Sequence, residues 1–290
     1  MAVFGIDTSD HASQAAYNLA VHPPEGQTVP LIPGPPRFWG RYFNGTTTNN
    51  NYQYDTSEHA ILRQLGIPVL CFARQMWAVN DAAHAAAHAQ RNMQGVVNAF
   101  GAQYLFNNNI RPMLYLDVEP ETDNPASYIL AQAYYTNWSA AIVAGIPAGG
   151  HTITFRPAVY LNLKDNEISF RNLNTARHAG AACEGVWPAN YKYSDPNDMN
   201  LPYNQRTSPP PPSDEMINLW SDSYLTPEPN PLPHGAPNAH IATIGWQYYG
   251  DYPKVRHPDG TITKGDVDFD MVSPTHESAV LSGCVPVPPA

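Results

Sequence analysis

The feature that most constrains the fold is a regular alternation of strand-like apolar runs and helical segments. Strand-like runs occupy residues 3–7, 37–43, 67–73, 111–117 and 155–161. Helical patterns follow them at about 10–21, 57–66, 80–100, from 125 onward, and at 168–182. Strands that alternate with helices in this way are typical of a parallel sheet covered by helices. The sequence therefore predicts an α/β fold.

The alternation stops after a sixth strand, predicted at 185–189. No helical period follows, and residues 215–220 and 243–248 are predicted as the seventh and eighth strands. Eight strands with helices only among the first five predict a modified TIM barrel. Because no repeat or linker divides the chain, we expect one domain over residues 1–290. Within it we expect a Pro-rich insertion near 192–214 and a C-terminal tail at 278–290.

The composition limits the partners that the protein can have. Its 15 basic and 25 acidic residues give a formal net charge of -10. Phosphate binding needs clustered basic side chains, so we expect no nucleic-acid partner. No segment approaches the roughly 20 apolar residues of a membrane span, so we expect no membrane insertion. The cysteines Cys71, Cys183 and Cys284 lack metal-binding spacing, and a bridge between the last two stays open.

Two carboxylates, Asp117 and Glu119, end the fourth strand. Alternation along a strand sends both to the same face, and Pro120 favours an extended conformation at Glu119. Two acids close together in a partly buried site do not both ionise freely, so one tends to keep its proton. The pair is therefore suited to general acid catalysis. The same pattern also occurs at solvated strand ends, and its position at the carboxyl end of a predicted barrel strand favours the catalytic interpretation.

Further acids are expected at the same mouth of the barrel. Asp7 ends the first strand, and Asp268 lies in a run where aspartates alternate with apolar residues at 265–270. An EF-hand loop is the alternative for this run, but it fails because Met271 stands where the required glycine would be. We therefore expect no metal and no cofactor. His84 and His88 share one helix face, which we interpret as solvated.

Five short motifs occur in the order seen in glycoside hydrolase family 25 lysozymes. They are FGIDTS at 4–9, LDVE at 116–119, GVWPANY at 185–191, WQY at 246–248 and VDFD at 267–270. The chain especially resembles a related glycoside-hydrolase-like domain of unknown function found in bacterial exported proteins. The resemblance implies a (β/α)5(β)3 barrel. It also implies hydrolysis of the β-1,4 bond between N-acetylmuramic acid and N-acetylglucosamine in peptidoglycan.

The resemblance also implies roles for individual residues. Glu119 would protonate the leaving oxygen, and Asp117 would orient or stabilise a reacting 2-acetamido group. Asp7 and Asp268 would complete the acidic mouth. The spacing of the carboxylates does not fix the stereochemical outcome. Aromatic side chains that are candidates for stacking on sugar rings, with core packing as the alternative, are Tyr42, Trp187, Tyr191, Trp246 and Tyr248.

Two alternatives to a cell-wall lysozyme remain open. The negative net charge opposes binding to anionic cell walls, so another polysaccharide is a possible substrate. A glycan-binding barrel without catalytic activity would keep the same fold. In either case we expect an exported or extracellular monomer, although the N-terminus shows no basic and then apolar leader.

Overall fold

The structure is a computed structural model that describes residues 3–22, 32, 34–44, 53–74, 78–119, 129–162, 167–189, 242–256, 262–272 and 275–290. Within these ranges the strands, in chain order, are β1 Val3–Thr8, β2 Trp39–Tyr42, β3 Val69–Arg74, β4 Met113–Val118, β5 Ile146–Ala148, β6 His151–Ile153, β7 Arg156–Asn162, β8 Val186–Ala189, β9 Gly245–Arg256 and β10 Ile262–Val272. The helices are α1 Gln14–Val21, α2 His59–Leu65, α3 Ala85–Phe100, α4 Ala102–Asn107, α5 Gln132–Ala144, α6 Glu167–His178 and α7 Glu277–Leu281.

Eight of the strands close into a mixed barrel. Their order around the barrel is β1, β10, β9, β8, β7, β4, β3 and β2, which pairs again with β1. Neighbouring strands run parallel except at β10, which is antiparallel to both β9 and β1. The short strands β5 and β6 form a separate hairpin. The predicted α/β fold is therefore confirmed as a closed eight-stranded barrel with helices.

The first six barrel strands lie where the sequence predicts them, but the last two do not. The predicted segment 243–248 belongs to β9, which is seventh in chain order, and the eighth strand is β10. The strand predicted at 243–248 is therefore found as the start of β9, which is the seventh rather than the eighth barrel strand among the described residues, and β10 was not predicted as a strand. The predicted strand at 215–220 lies outside the described residues.

The helix starts differ from the predictions in two places. α1 begins at Gln14, because the side chain of Ser13 accepts a hydrogen bond from the backbone N–H of Ala16 at 3.1 Å. α3 begins at Ala85 rather than near residue 80. The predicted end at Gly66 is confirmed, since this residue follows α2 with a φ of 68°, a conformation that glycine adopts readily.

Buried side chains form two clusters on opposite sides of the barrel wall. One cluster joins the helices to the outward face of the strands and includes Trp138, Ile142 and Leu173. The other fills the barrel interior with alternate strand residues: Val3, Phe38, Leu70, Phe72, Met113, Tyr115, Ala158, Tyr160, Trp187, Ala189 and Val272. The strands thus place every second side chain inside the barrel.

The C-terminal residues cover the base of the barrel, at the start of the parallel strands. Val285 exchanges two backbone hydrogen bonds with Val69, at 2.8 and 2.9 Å, and the N–H of Met113 donates to Gly283. Cys284 lies within the interior cluster. All three cysteines are free, so the bridge between Cys183 and Cys284 does not form. No helix within the described ranges has the length and apolarity to cross a membrane.

Candidate active site

The acids predicted from sequence lie at the carboxyl end of the barrel. Asp7 pairs with Asp268 across β1 and β10. Asp117, near the end of β4, pairs with Tyr160 on β7. Asp7 and Asp117 are buried, whereas Glu119 and Asp268 are half-buried. The end of the barrel opposite the C-terminal residues is therefore rich in carboxyl groups.

Tyr42 shows that the four acids face one space. Burial raises the pKa of the Tyr42 hydroxyl well above its ordinary value. The charges of Asp7, Asp117, Glu119 and Asp268 raise this pKa further, in that order of effect. The Coulomb energy between two charges falls as the distance between them grows, so these carboxylates act on the Tyr42 hydroxyl from nearby. All four carboxyl groups therefore lie near enough to the Tyr42 hydroxyl to influence its ionisation.

Gln247 connects the acids through hydrogen bonds. Its Nε2 donates to Asp7 Oδ2 at 2.9 Å and to Asp268 Oδ2 at 3.0 Å. Its Oε1 lies 2.6 Å from the hydroxyl of Tyr160. The same hydroxyl lies 3.1 Å from Glu119 Oε1. A continuous path of hydrogen bonds therefore joins Glu119 to Asp7 and Asp268.

A fifth carboxyl group, that of Asp270, lies deeper in the barrel. It is fully buried, accepts a hydrogen bond from Trp187 Nε1 at 2.9 Å, and lies close enough to Asp7 for the two carboxyl groups to affect each other's pKa. Burial raises the pKa of Asp270 well above its ordinary value, and the charge of Asp7 raises it further. Burial also raises the pKa of Asp7, although its hydrogen bonds to Asp270 and Gln247 oppose this.

A proton between Asp7 and Asp270 explains their contact. If both groups were ionised, Asp7 Oδ1 and Asp270 Oδ2 would have no hydrogen-bond donor among the described residues. Two buried carboxyl groups in contact share one proton, because the second charge is costly to bury. Asp7 accepts a hydrogen bond from Gln247 and feels the positive charge of Arg41, both of which favour its ionised form, so we place the proton on Asp270.

A buried ion pair supports the chain just after Asp7. Arg41 contacts Glu58 through Nε at 2.8 Å and through Nη2 at 3.0 Å, and both side chains are buried. Arg41 Nη1 also donates to the carbonyl oxygens of Thr8 at 2.6 Å and Ser9 at 3.0 Å. Its positive charge lowers the pKa of Asp7 and thus opposes the effect of burial.

The predicted aromatic platforms have different outcomes. Trp187 and Trp246 are fully buried, and Phe38 and Tyr115 each contact the Trp187 ring edge-on at 5.5 Å between centroids. Both tryptophans are packed within the protein, which favours the alternative interpretation, core packing, for these two residues. Tyr42 is half-buried at the mouth, with Arg74 Cζ 5.5 Å from its ring centroid. Tyr191 lies outside the described residues, as does the side chain of Tyr248.

Three residues of the site, Tyr160, Gln247 and Asp270, were not predicted as site residues. The alternation of β9 indicates Gln247, because it follows the outward-facing Trp246 and must point into the barrel. Asp270 belongs to the same alternating run as Asp268, two residues away. Nothing in the sequence distinguishes Tyr160 from an ordinary core tyrosine, since its partners come from β4 and β9.

The structure also bears on two other interpretations, a calcium loop in β10 and a solvated helix face with His84 and His88. Asp266, Asp268 and Asp270 lie along the extended strand β10, so they do not form a calcium loop. Among the described residues, no group of three or more His, Cys, Asp or Glu side chains is arranged to hold a metal ion. His88 is buried and its Nδ1 lies 3.0 Å from the hydroxyl of Tyr134, so the prediction of a solvated face is wrong for this residue.

Comparisons with known proteins indicate a shared fold but no established family. No protein-family model matches the sequence. No curated protein matches it either. The crystal structure of an uncharacterised B. stearothermophilus protein is similar over 97% of this chain and 99% of its own, with a TM-score of 0.57 and 13% identity. This similarity supports a common fold and, at that identity, nothing about activity.

Two further structures are similar at lower TM-scores. A Tat-secreted protein of Mycobacterium tuberculosis, solved with L-tartrate, matches 93% of this chain and 95% of its own, with 13% identity and a TM-score of 0.45. The Clostridium perfringens spore cortex lytic enzyme SleM matches 93% of this chain and 67% of its own, with 14% identity and a TM-score of 0.41. The resemblance to family 25 lysozymes therefore rests on the sequence motifs.

Proposed function

We propose that the protein is a glycoside hydrolase that cleaves β-1,4 bonds in N-acetylated glycans, with Glu119 as the general acid. The observation that carries this proposal is the path of hydrogen bonds from Glu119 through Tyr160 and Gln247 to Asp7 and Asp268. It lies at the carboxyl end of a mostly parallel barrel, where barrel enzymes have their active sites. We also propose that this barrel is of the (β/α)5(β)3 type.

Glu119 and Asp117 have different surroundings, which suits them to different tasks. Glu119 is half-buried, so its carboxyl group can reach a bound sugar, whereas Asp117 is 7% exposed. In the proposed reaction Glu119 gives its proton to the glycosidic oxygen as the bond to the anomeric carbon breaks. Asp117 holds the N–H of the 2-acetamido group while the acetamido oxygen bonds to that carbon. Water then opens this ring and returns a proton to Glu119, which gives net retention.

Peptidoglycan is the proposed substrate, and Tyr42 is the proposed contact for a sugar ring. Its ring is half-buried at the mouth, among the four acids. A cell-wall glycan lies outside the cytoplasm, so we also propose an exported or extracellular location. We treat residues 1–290 as one domain because the C-terminal residues close the base of the same barrel. Asp7 and Asp268 hold the amide of Gln247 and thereby fix the geometry of the mouth.

Release of new reducing ends from peptidoglycan and from chitin-type oligosaccharides tests the proposal. Glu119→Gln deletes the acid and keeps the shape of the side chain, so turnover should fall by about 10²–10⁴-fold. Glycan affinity, measured by calorimetry, should stay close to that of the wild type. Glu184→Gln is the matched control, because Glu184 is exposed and precedes β8 at the opposite end of the barrel. It should retain full activity.

Two outcomes would contradict the proposal in different ways. Equal turnover by Glu119→Gln and the wild type would remove Glu119 as the acid. Binding of glycans by a wild-type protein that releases no reducing ends would replace the hydrolase with a glycan-binding barrel.

A further inference from the structure

We infer that Tyr160 and Gln247 are positioning residues that keep the resting proton on Glu119. The catalytic meaning of this inference rests on the proposed function, but the position of the proton does not. It follows from the direction of each hydrogen bond between the buried acids and Glu119.

The orientation of the Gln247 amide is fixed by two carboxyl groups. One amide edge contacts Asp7 Oδ2 at 2.9 Å and Asp268 Oδ2 at 3.0 Å. Only the NH₂ group can donate two hydrogen bonds there, since a carbonyl oxygen would face two acceptors. The amide oxygen must therefore point to the other side, where Tyr160 lies. Gln247 is 1% exposed, so water does not offer an alternative orientation.

The Tyr160 hydroxyl then has its single proton committed. Its oxygen lies 2.6 Å from Gln247 Oε1, a carbonyl oxygen that can only accept. Two oxygens at this distance need a proton between them, and Tyr160 is the group that can supply it. The same tyrosine oxygen lies 3.1 Å from Glu119 Oε1. Toward Glu119 it presents a lone pair, so this contact is a hydrogen bond only when Glu119 is protonated.

The hydrogen bonds of the acids below Gln247 agree with this direction. Trp187 donates to Asp270 at 2.9 Å, and the proton on Asp270 is donated to Asp7. Asp7 is thereby held as an acceptor for the amide of Gln247. Burial raises the pKa of Asp270 well above its ordinary value, which favours the protonated form of this group. Every bond from Asp270 to Glu119 is therefore oriented without conflict.

The other charged groups around Glu119 have opposing effects on its protonation. The ionisable or charged side chains at the mouth are Asp117 on β4, Tyr42 on β2, Arg74 on β3, Asp7 on β1 and Asp268 on β10. The three aspartates favour a protonated Glu119 by repulsion, and Arg74 opposes it. Tyr42 is neutral, because burial raises its pKa. Among these interactions with Glu119, the contact with Tyr160 is the one that is removed by deleting a single hydroxyl group.

Titration of Glu119 by NMR, in protein labelled with ¹³C at the glutamate carboxyl carbons, measures the proton directly. The signal is identified by its loss in Glu119→Gln. In the wild type its midpoint should lie above that of free glutamate, about 4.3. Tyr160→Phe should lower this midpoint by about one unit, because protonated Glu119 loses its acceptor. If Tyr160 instead donated to an ionised Glu119, the same change would raise the midpoint.

Tyr115→Phe is the matched control. Tyr115 also lies inside the barrel, and its hydroxyl has no hydrogen-bond partner among the described residues. The midpoint of Glu119 should therefore be unchanged. A wild-type midpoint at or below about 4.3, or an upward shift in Tyr160→Phe, would overturn the inference.

The kinetic counterpart separates this inference from the proposed function. The high-pH limb of kcat/KM should move to lower pH in Tyr160→Phe by the same amount as the NMR midpoint, with little change in KM. If the NMR shifts appear and no substrate is cleaved, the inference holds and the hydrolase proposal fails. If substrate is cleaved and the shifts are absent, the hydrolase proposal holds and the inference fails.

Discussion

The two ends of the barrel are built from the same strands and differ in what closes them. At the base, Val285 and Gly283 supply backbone hydrogen bonds to Val69 and Met113, so the last residues of the chain cover the apolar interior. At the mouth, the interior ends in carboxyl groups, an amide and a hydroxyl joined by hydrogen bonds. The base contributes stability, and the mouth keeps the polar groups that chemistry needs.

Two arginines show the same difference. Arg41, next to the mouth, is paired with the carboxylate of Glu58, and both are buried. Arg156, at the base, donates to the carbonyl oxygen of Ala279 at 2.7 Å and to Ser282 Oγ at 3.3 Å. The charge of Arg41 is thus balanced by a carboxylate, whereas Arg156 donates hydrogen bonds to neutral groups. Polar groups near the mouth should therefore be more sensitive to substitution.

The largest effect on stability is expected from Glu58→Gln. The substitution leaves Arg41 buried without its partner charge, which should cost about 3–5 kcal/mol of unfolding free energy. Ser282→Ala at the base removes only the longer contact of Arg156, so a change within about 0.5 kcal/mol is expected. Urea unfolding of the two variants measures the difference. Similar losses for both would show that the two ends do not differ in this way.

A pair of glycine substitutions separates stability from function. A Cβ at Gly5 would lie 2.2 Å from Phe38 Cε2, and one at Gly40 would lie 2.4 Å from the Cβ of Asp7. Both Gly5→Ala and Gly40→Ala should cost about 1–3 kcal/mol by overpacking the interior. Gly40→Ala alone should also displace Asp7 and shift the NMR titration of Glu119.

A comparison of the two glycine variants shows whether the titration of Glu119 depends on the position of Asp7 or on the packing of the whole interior. A Glu119 titration that moves equally in Gly5→Ala and Gly40→Ala, at matched losses of stability, would show that the polar path responds to the whole core. A shift confined to Gly40→Ala would place the sensitive point at Asp7.

The smallest effect is expected from Asp270→Asn, and it concerns pH. The pKa of Asp270 is raised in the folded protein, so above about pH 4 the folded state holds a proton that the unfolded state has released. The contribution of this group to stability is present at low pH and is lost as pH rises through the folded pKa. Asparagine can donate to Asp7 and accept from Trp187 without titrating, so the loss should disappear.

Urea unfolding at a series of pH values from about 4 upward tests the prediction. Asp270→Asn should flatten the fall in stability with rising pH, whereas Asp10→Asn, at an exposed site, should keep the wild-type slope. A steeper fall in Asp270→Asn would show that Asp270 is ionised in the folded protein. The proton path would then lose its starting point.

Local pattern was enough to predict most of the barrel. Six strands could be predicted because each is an apolar run of four to seven residues bounded by glycine, proline or polar residues. This pattern depends only on neighbours along the chain. The error at the eighth strand has a local cause as well. β9 contains Gly250 and Pro253 within its 12 residues, and register shifts interrupt its pairing with β10, so β9 as a whole does not show a regular two-residue period.

Local sequence patterns were enough to predict an α/β barrel, the positions of Asp7, Asp117 and Glu119 near strand ends and that of Asp268 in an alternating run, since alternation and strand length are local properties. The link that Tyr160 and Gln247 make between these acids, and the burial of Trp187 and Trp246, could be seen only in the folded barrel. Hydrogen-bond direction and burial depend on which strands become neighbours when the sheet closes. That closure joins residues as far apart in sequence as Asp7 and Gln247.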